Sequence, residues 1–405
     1  WVDDDYPADE DTDGDEYFRT IQAAINAVAE NGIVHVAAGT YKEAITIDKS
    51  LTLQGEDKTT TIIDGTDTGA EYGIYITASD VVVRGFTIKG FTSGWGWGIQ
   101  LDGADNCILE DLIVKECNSG INLYRGSDNN VVQNVEVRDI GGHGISIYGS
   151  DVGSTGNQIR NNRIIGCAWY TGDGQYHLPA IPVFSGASNN VIEDNVIEGK
   201  VAEGEKVGIG IALWGYTYGG GDKSESGNII RDNTISNFYI GIYVAGHNPD
   251  TGSLNLVSDT EIISNTIESN KIGIKIKGFD ETGKPGASNY NNIEGNEEYG
   301  VLNEAYGESV YPSYNAILNW WGDPSGPGGV GPGSGDAVSD NVDFDPWLTA
   351  PITVASSESG TDELLEFPES NVDVYVEGSA EVYVATYESN PGARLRGSIG
   401  KYIDV

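Results

Sequence analysis

Gly210-Ile211-Ala212-Leu213 and, after a polar stretch, Ile230-Arg231-Asp232-Asn233-Thr234-Ile235 form one copy of the pattern that decides the fold of this 405-residue chain. The first half recurs as Gly73-Ile74-Tyr75-Ile76, Gly98-Ile99-Gln100-Leu101, Gly120-Ile121-Asn122-Leu123 and Gly144-Ile145-Ser146-Ile147. It continues as Ile181-Pro182-Val183, Gly241-Ile242-Tyr243-Val244 and Gly273-Ile274-Lys275-Ile276. Copies stand between about 20 and 40 residues apart, an interval typical of solenoids. Each holds short segments with two or three apolar residues at period two, too few to bury a face alone. Stacked copies bury one continuous column. The second half carries an asparagine at a fixed offset from an isoleucine, at Asn162, Asn195, Asn233 and Asn265. Asn296 and Asn319 extend the series, and Asn134 and Asp111 sit near the same place after a one-residue slip. Stacked asparagines can bond to the coils above and below, satisfying groups that a bend leaves open.

Working outward, Phe18, Ile21, Ala24, Ile25 and Val28 share one face of a helix expected over about 17–30, ending at Gly32. Short strand patterns follow at Ile33-Val34-His35-Val36, Ile45-Thr46-Ile47, Leu51-Thr52-Leu53 and Ile62-Ile63. A helix in that position covers the open end of a stacked sheet, which would otherwise invite pairing. Beyond Leu348 the chain turns rich in Ser, Glu and Pro, and three alternating segments follow. They are Val372–Val376, Glu381–Tyr387 and Tyr402–Val405. Such a sheet is small enough to need a strand from elsewhere, either a neighbouring molecule or the solenoid. The expected organisation is therefore an acidic segment over 1–16, a capped solenoid over 17–348, a linker over 349–370 and a small strand domain over 371–405.

The stretch FRTIQAAINAVAENGIVHVAAGTYKEAITIDKSLTLQGED (18–57), followed by TTIIDG (60–65), resembles the start of right-handed parallel β-helix proteins of the pectin-lyase-like superfamily. NosD-like repeat proteins of archaeal cell surfaces are the nearest in look. NAILNWWGDPSGPGG through DPWL (315–348) is similar to the segment that closes such helices. The resemblance implies an all-β, right-handed parallel β-helix with an N-terminal capping helix and a small C-terminal sheet. For activity it implies little, since the superfamily includes lyases, hydrolases, binding modules and inert frameworks.

Composition narrows the function. With 62 acidic and 22 basic residues the net charge is −40, which excludes nucleic-acid binding by phosphate neutralisation. Hydrophobic residues make up 39%, too many for a disordered chain, and no apolar run approaches the ~18 residues of a membrane span. The chain begins at Trp1 and contains no methionine, so a removed secretory signal and an extracellular or cell-surface location are expected. Cys107, Cys117 and Cys167 lie inside apolar patterns and read as core residues.

Two rows of side chains are expected to point outward from the Gly-Ile strands. One runs Tyr75, Gln100, Asn122, Ser146, Pro182, Ala212, Tyr243 and Lys275; the other runs Thr77, Asp102, Tyr124, Tyr148, Phe184, Trp214, Ala245 and Lys277. A lyase of this superfamily needs clustered carboxylates with a basic residue, and a hydrolase needs two carboxylates. These rows offer Asp102 alone, with Arg125 and Asp128 one coil on. Gly142-His143-Gly144 resembles a histidine segment of polygalacturonases, but the paired aspartates of that family have no counterpart. Tyr124, Tyr148, Phe184 and Trp214 fall on four successive coils, an aromatic wall suited to sugar rings or to another protein, unless the loop near 168–180 covers it. Trp95, Trp97, Trp169, Tyr170, Tyr176, Tyr216 and Tyr218 are expected in adjoining loops. Asp9, Asp11, Asp13 and Asp15 match the opening of an EF-hand loop and would offer oxygens to Ca²⁺, although Thr20 stands where that motif has glutamate.

Two functions follow. The leading expectation is a non-catalytic extracellular structural protein that assembles with itself into a surface layer or filament, joined by strand exchange and calcium. The alternative is a carbohydrate-active β-helix, either a polysaccharide lyase or hydrolase or a glycan-binding adhesin, with extracellular polysaccharide as partner. Copper delivery is disfavoured because methionine and clustered His or Cys ligands are lacking.

Overall fold

The computed structural model describes residues 1–5, 17–150, 152–168, 178–202, 204–217, 221–305 and 311–354, together with strands at 365–366, 372–376, 381–386 and 395–398. The Gly-Ile segments lie in a 12-stranded parallel sheet, hereafter the front sheet, most other strands form a 20-stranded sheet folded around the back, and a few short strands make small sheets of two or three. Register is continuous along the front: Ile121 pairs with Ile145, and Ile211 with Ile242, which pairs with Ile274. Every coil therefore places its apolar positions over those of the last, and the chain is a parallel β-helix.

Four inward columns fill the interior. Two come from the front, one through Ile145, Ile181 and Ile211 and one through Ile147, Val183 and Leu213; two come from three-residue back strands, through Ile159, Ile192 and Ile230 and through Ile164, Ile197 and Ile235, all buried. Each such side chain contributes roughly 1.5–3 kcal/mol of burial, which one isolated coil could not retain. Cys107, Cys117 and Cys167 lie in this core as free thiols, and burial pushes them up, Cys107 to about 11. They are packing groups, as expected.

The bends between back strands put non-glycine residues at positive φ: Asp111 at 52°, Asn134 at 54°, Asn161 at 53°, Asp194 at 54° and Asp232 at 57°. Asn and Asp tolerate this region better than other side chains. The next residue turns inward and carries the ladder. The ladder starts at Asn162, and Asn195, Asn233, Asn265, Asn291 and Asn319 each accept from the asparagine one coil before, at 2.9–3.0 Å between side chains. Asn134 and Asp111 thus hold the bend rather than the ladder, whose position is filled there by Val135 and Leu112. Asn296 also lies elsewhere: it accepts from Asn270 and donates to Asp336, in a second ladder. A third joins Asn130, Asn157, Asn190 and Asn228.

The capping helix spans Ile21–Ala27, shorter than the hydrophobic pattern predicts. Phe18 is taken by a parallel bridge to Val2, and Val28 is already extended at ψ 143°. Ile21 and Ile25 are buried against the first coils. Thr20 gives no side-chain cap; instead the Glu43 carboxylate accepts from the backbone N–H of Ile21 (2.8 Å) and Gln22 (3.0 Å). Glu43→Ala should therefore cost about 0.5–2 kcal/mol, the range for losing a helix cap, read as a lower urea midpoint. An unchanged midpoint would show that the helix docks without this bond.

At the other end, Trp320, Leu348 and Ile352 form their own apolar cluster, and strands Pro327–Gly329 and Gly335–Val338 continue the front sheet. Val372–Val376, Glu381–Thr386 and Leu395–Ser398 pair antiparallel in a three-stranded sheet whose third strand falls earlier than the pattern predicts. The strand expected at Tyr402–Val405 lies outside the described residues.

Candidate functional site

The outer face of the front sheet carries the two expected rows and a third that the pattern concealed. The register places Tyr72 beside Trp97 and Ser119, and further on Pro179, Ile209, Ile240, Ile272 and Tyr299 in line. Simple alternation would turn these residues inward. The glycine after each (Ala180 after Pro179) takes the inward place instead, where a Cβ at Gly73 would meet Phe91 and Ile88 of the core. Trp97 consequently stands on a strand and not in a loop. Ile209, Ala212, Ile240 and Ile272 form a second apolar cluster on this outer face, packed by Trp214, Tyr239, Tyr243, Tyr299 and Leu302.

The four expected aromatics are in register, as Tyr124–Tyr148, Tyr148–Phe184 and Phe184–Trp214 pairs. Tyr124 and Tyr148 stack at 5.4 Å and 14°, Phe184 and Trp214 at 4.9 Å and 14°, and Phe184 meets Tyr148 edge-on at 6.2 Å. Tyr216 continues the wall beyond Trp214. Their faces are thus largely spent on one another, and the wall offers ring edges and phenol groups rather than open platforms. Trp169, Tyr170, Tyr176 and Tyr218 lie outside the described residues.

Between this wall and a second one, made by Trp97 and His143 at 6.2 Å, lies a polar floor. Gln100, Asn122 and Ser146 point out of the sheet yet are at most 5% exposed, and Ser119, in the row of Trp97 and His143, is 1% exposed. Asn122 Nδ2 donates to Gln100 Oε1 at 3.0 Å, while Asn122 Oδ1 is buried without a partner. Tyr72 and Tyr75 stack at 5.1 Å at one end, and His143 meets Phe184 edge-on at 5.8 Å at the other. The result is a narrow strip, hereafter the slot, whose polar base is closed off from solvent by its aromatic sides.

Asp102 borders the slot, tied to Arg125 through two bonds of 3.0 and 2.8 Å and to the Tyr75 hydroxyl at 2.7 Å. Burial and then that carboxylate raise the Tyr75 phenol to about 12, so it stays protonated at neutral pH and offers no phenolate as a general base. Arg125 lies over the Tyr124 ring at 4.9 Å. Asp128 does not join them; it accepts from Thr155 at a corner. His143 is buried beside the slot, with Nδ1 2.9 Å from the Pro179 carbonyl, and burial lowers its basicity. Its ring packs, and among the described residues no carboxylate orients it for proton transfer. At the far end of the face Lys275 and Lys277 both hold Glu304, each at 2.5 Å.

Two other places attract ligands less well. A groove of about 560 Å³ at the closing end is lined by Glu268, Glu294, Glu297, Glu298 and Asp336. Asp336 there accepts three N–H bonds from Gly295 and Asn296 and terminates the second ladder, a structural duty, with burial lifting its carboxyl to about 6. Asp3, Asp4 and Asp5 gather their oxygens within 4.8 Å, but Asp4 accepts from Thr40 N–H and Asp3 from Asp5 N–H, which pins the terminus. Asp9, Asp11, Asp13 and Asp15 lie outside the described residues.

Residues 45–179 match the family described as right handed beta helix region, and the chain is a right-handed parallel β-helix. Among solved structures, that of XylC with xylose is similar at TM-score 0.55 and 12% identity, over 91% of this chain and 86% of that one. The alginate lyase from Paenibacillus sp. str. FPU-7 gives TM-score 0.46 and 16% identity, over 79% and 95%. The Dettilon tailspike protein gives 0.43 and 14%, over 90% and 71%. No curated protein matches the sequence. At such identities the likeness is one of fold. No helix among the described residues is long and apolar enough to cross a membrane.

Proposed function

We propose that this chain is a carbohydrate-binding β-helix that holds a glycan along its front face without cleaving it. The observation that carries the proposal is the slot, in which an outward polar floor is kept from solvent between two aromatic walls and retains an unpaired amide oxygen. Sites for small polar ligands combine apolar sides with a few convergent polar groups, and a sugar has both characters. Likeness to XylC supports the architecture only.

Cleavage is disfavoured by the same face. On its outward rows the described carboxylates are Asp102 and Glu304, each already matched by cations. They stand seven coils apart in the sheet order, about 34 Å at the strand spacing, whereas a hydrolase pair needs about 5–9.5 Å.

Tyr148→Ala and Trp214→Ala are each expected to weaken glycan binding about tenfold or more, because they open the wall that shields the slot. Isothermal titration against an oligosaccharide panel reads this, with an assay for unsaturated or reducing-end products run alongside. Release of such products would make the protein an enzyme and overturn the proposal. Loss of self-association in light scattering with glycan binding unchanged would restore the surface-layer expectation.

A further inference from the structure

We infer that the slot takes an uncharged sugar unit, one hydroxyl of which donates to Asn122 Oδ1; this rests on the glycan-binding proposal above. The face has spent its positive charge. Arg125 is held on Asp102 by two bonds, and Lys275 and Lys277 close on Glu304. No described cation on these rows is left to hold a carboxylate or sulfate. The chain as a whole carries −40, so a polyanion approaches against a repulsive field.

The unpaired atoms give the positive half of the argument. Asn122 is 5% exposed; its amide nitrogen is committed to Gln100, and its oxygen has nothing to accept from. A buried acceptor in that state demands a donor. A carboxylate supplies none, whereas a hydroxyl does. Trp214, three coils further along the face, has the converse problem, with an indole N–H that is buried and without an acceptor. One unmet acceptor and one unmet donor thus stand about 14 Å apart at the strand spacing. A hydroxyl both donates and accepts, so a short run of neutral sugar residues answers both needs with one kind of group.

Titration of the full chain with neutral xylo-, gluco- and manno-hexaoses and with hexagalacturonate, at low and at high salt, tests this. At least one neutral hexaose should bind with an affinity indifferent to salt, and hexagalacturonate should bind about tenfold or more weakly at low salt, where repulsion is least screened. Asn122→Leu should lose about tenfold in neutral-sugar affinity, the cost of one hydrogen bond. Its thermal midpoint should change little, since removal of the unpaired oxygen offsets the lost donor to Gln100 Oε1, and Asn122→Ala serves if leucine does not fit. Tighter binding of hexagalacturonate, weakening with salt, would overturn this inference while leaving glycan binding standing. Undiminished neutral-sugar affinity in a folded Asn122 variant would overturn the assigned contact. Binding of neither class would remove the glycan-binding proposal itself.

Discussion

Asn195→Val is expected to destabilise the protein by about 3–5 kcal/mol, because it leaves several buried groups unpaired at about 1–3 kcal/mol each. Asn195 Oδ1 accepts from both the backbone and side-chain nitrogens of Asn162, and Asn195 Nδ2 donates to the Ile159 carbonyl and to Asn233 Oδ1. Valine of similar breadth fills the space and restores none of these. The Asn162 backbone N–H then has no acceptor in a place where Asn195 is 1% exposed. The same column shows that apolar residues are not intrinsically excluded. Phe86, Leu112 and Val135 occupy it in the earlier coils, all buried. What matters is whether the neighbouring coil already commits an asparagine. Val135→Asn, at the edge of the ladder, should therefore change stability by less than about 1 kcal/mol, since Asn162 Oδ1 already accepts from the Val135 N–H and can receive a second donor. Urea unfolding gives the two free energies, and hydrogen exchange locates the damage. A solenoid loses stability near the altered coil first, so the Asn162 amide should lose protection while distant coils keep theirs. A cost below about 1 kcal/mol for Asn195→Val, with the Asn162 amide still protected, would show that the ladder is ornament to a column held by isoleucine packing alone.

The columns were the most legible part of this protein because a parallel stack repeats each position in the same environment. Isoleucine at period two and asparagine at a fixed offset are direct images of that environment. The one-residue displacement at Asn134 was the limit of such reasoning, since a bend residue at positive φ and a ladder residue adjoin and both favour asparagine. Sequence spacing also joined Asn296 to Asn265, although insertions change coil length and Asn291 is the residue in register. The outward aromatic row followed from alternation. The row through Trp97, His143 and Ile209 did not, because the glycine behind each residue displaces the alternation by one, and only the packing of Gly73 against Phe91 reveals it. The slot was therefore half visible: Gln100, Asn122 and Ser146 were placed outward, but the wall that encloses them was hidden. Alternation did not show how the aromatics lie on one another, since in-register rings one coil apart stack or meet edge-on.

Glu225→Gln should stabilise the protein, and by an amount that grows as the pH rises from about 4 to 8. Glu225 lies three residues before Asn228, in the column that Ser127, Ser154 and Ala187 fill in earlier coils and Val257 in the next. It is 1% exposed, and neither carboxyl oxygen has a hydrogen-bond partner. Burial holds its carboxyl well above the ordinary glutamate range, with the Ser185 backbone opposing only in part. Below the unfolded-state value of about 4.3 the acid is neutral in both states, and it adds no pH dependence. Above that, the unfolded chain releases a proton that the folded chain retains, so folding becomes less favourable until the folded-state value is passed. The wild type thus loses stability through this window, and Gln, which cannot titrate, does not. Other carboxylates also respond to pH in a chain of charge −40, but they are common to both proteins and cancel in the difference. At pH 8 the gain should be the linkage term, about 1.4 kcal/mol for each pH unit by which burial holds the folded carboxyl above its unfolded value, up to pH 8. Glutamine keeps the shape, so packing contributes little to that figure. Urea midpoints for both proteins across the range decide it. A difference that stays constant with pH would mean Glu225 is ionised and partnered in the folded state, and a loss of stability on substitution would mean that its acid proton bonds within the column.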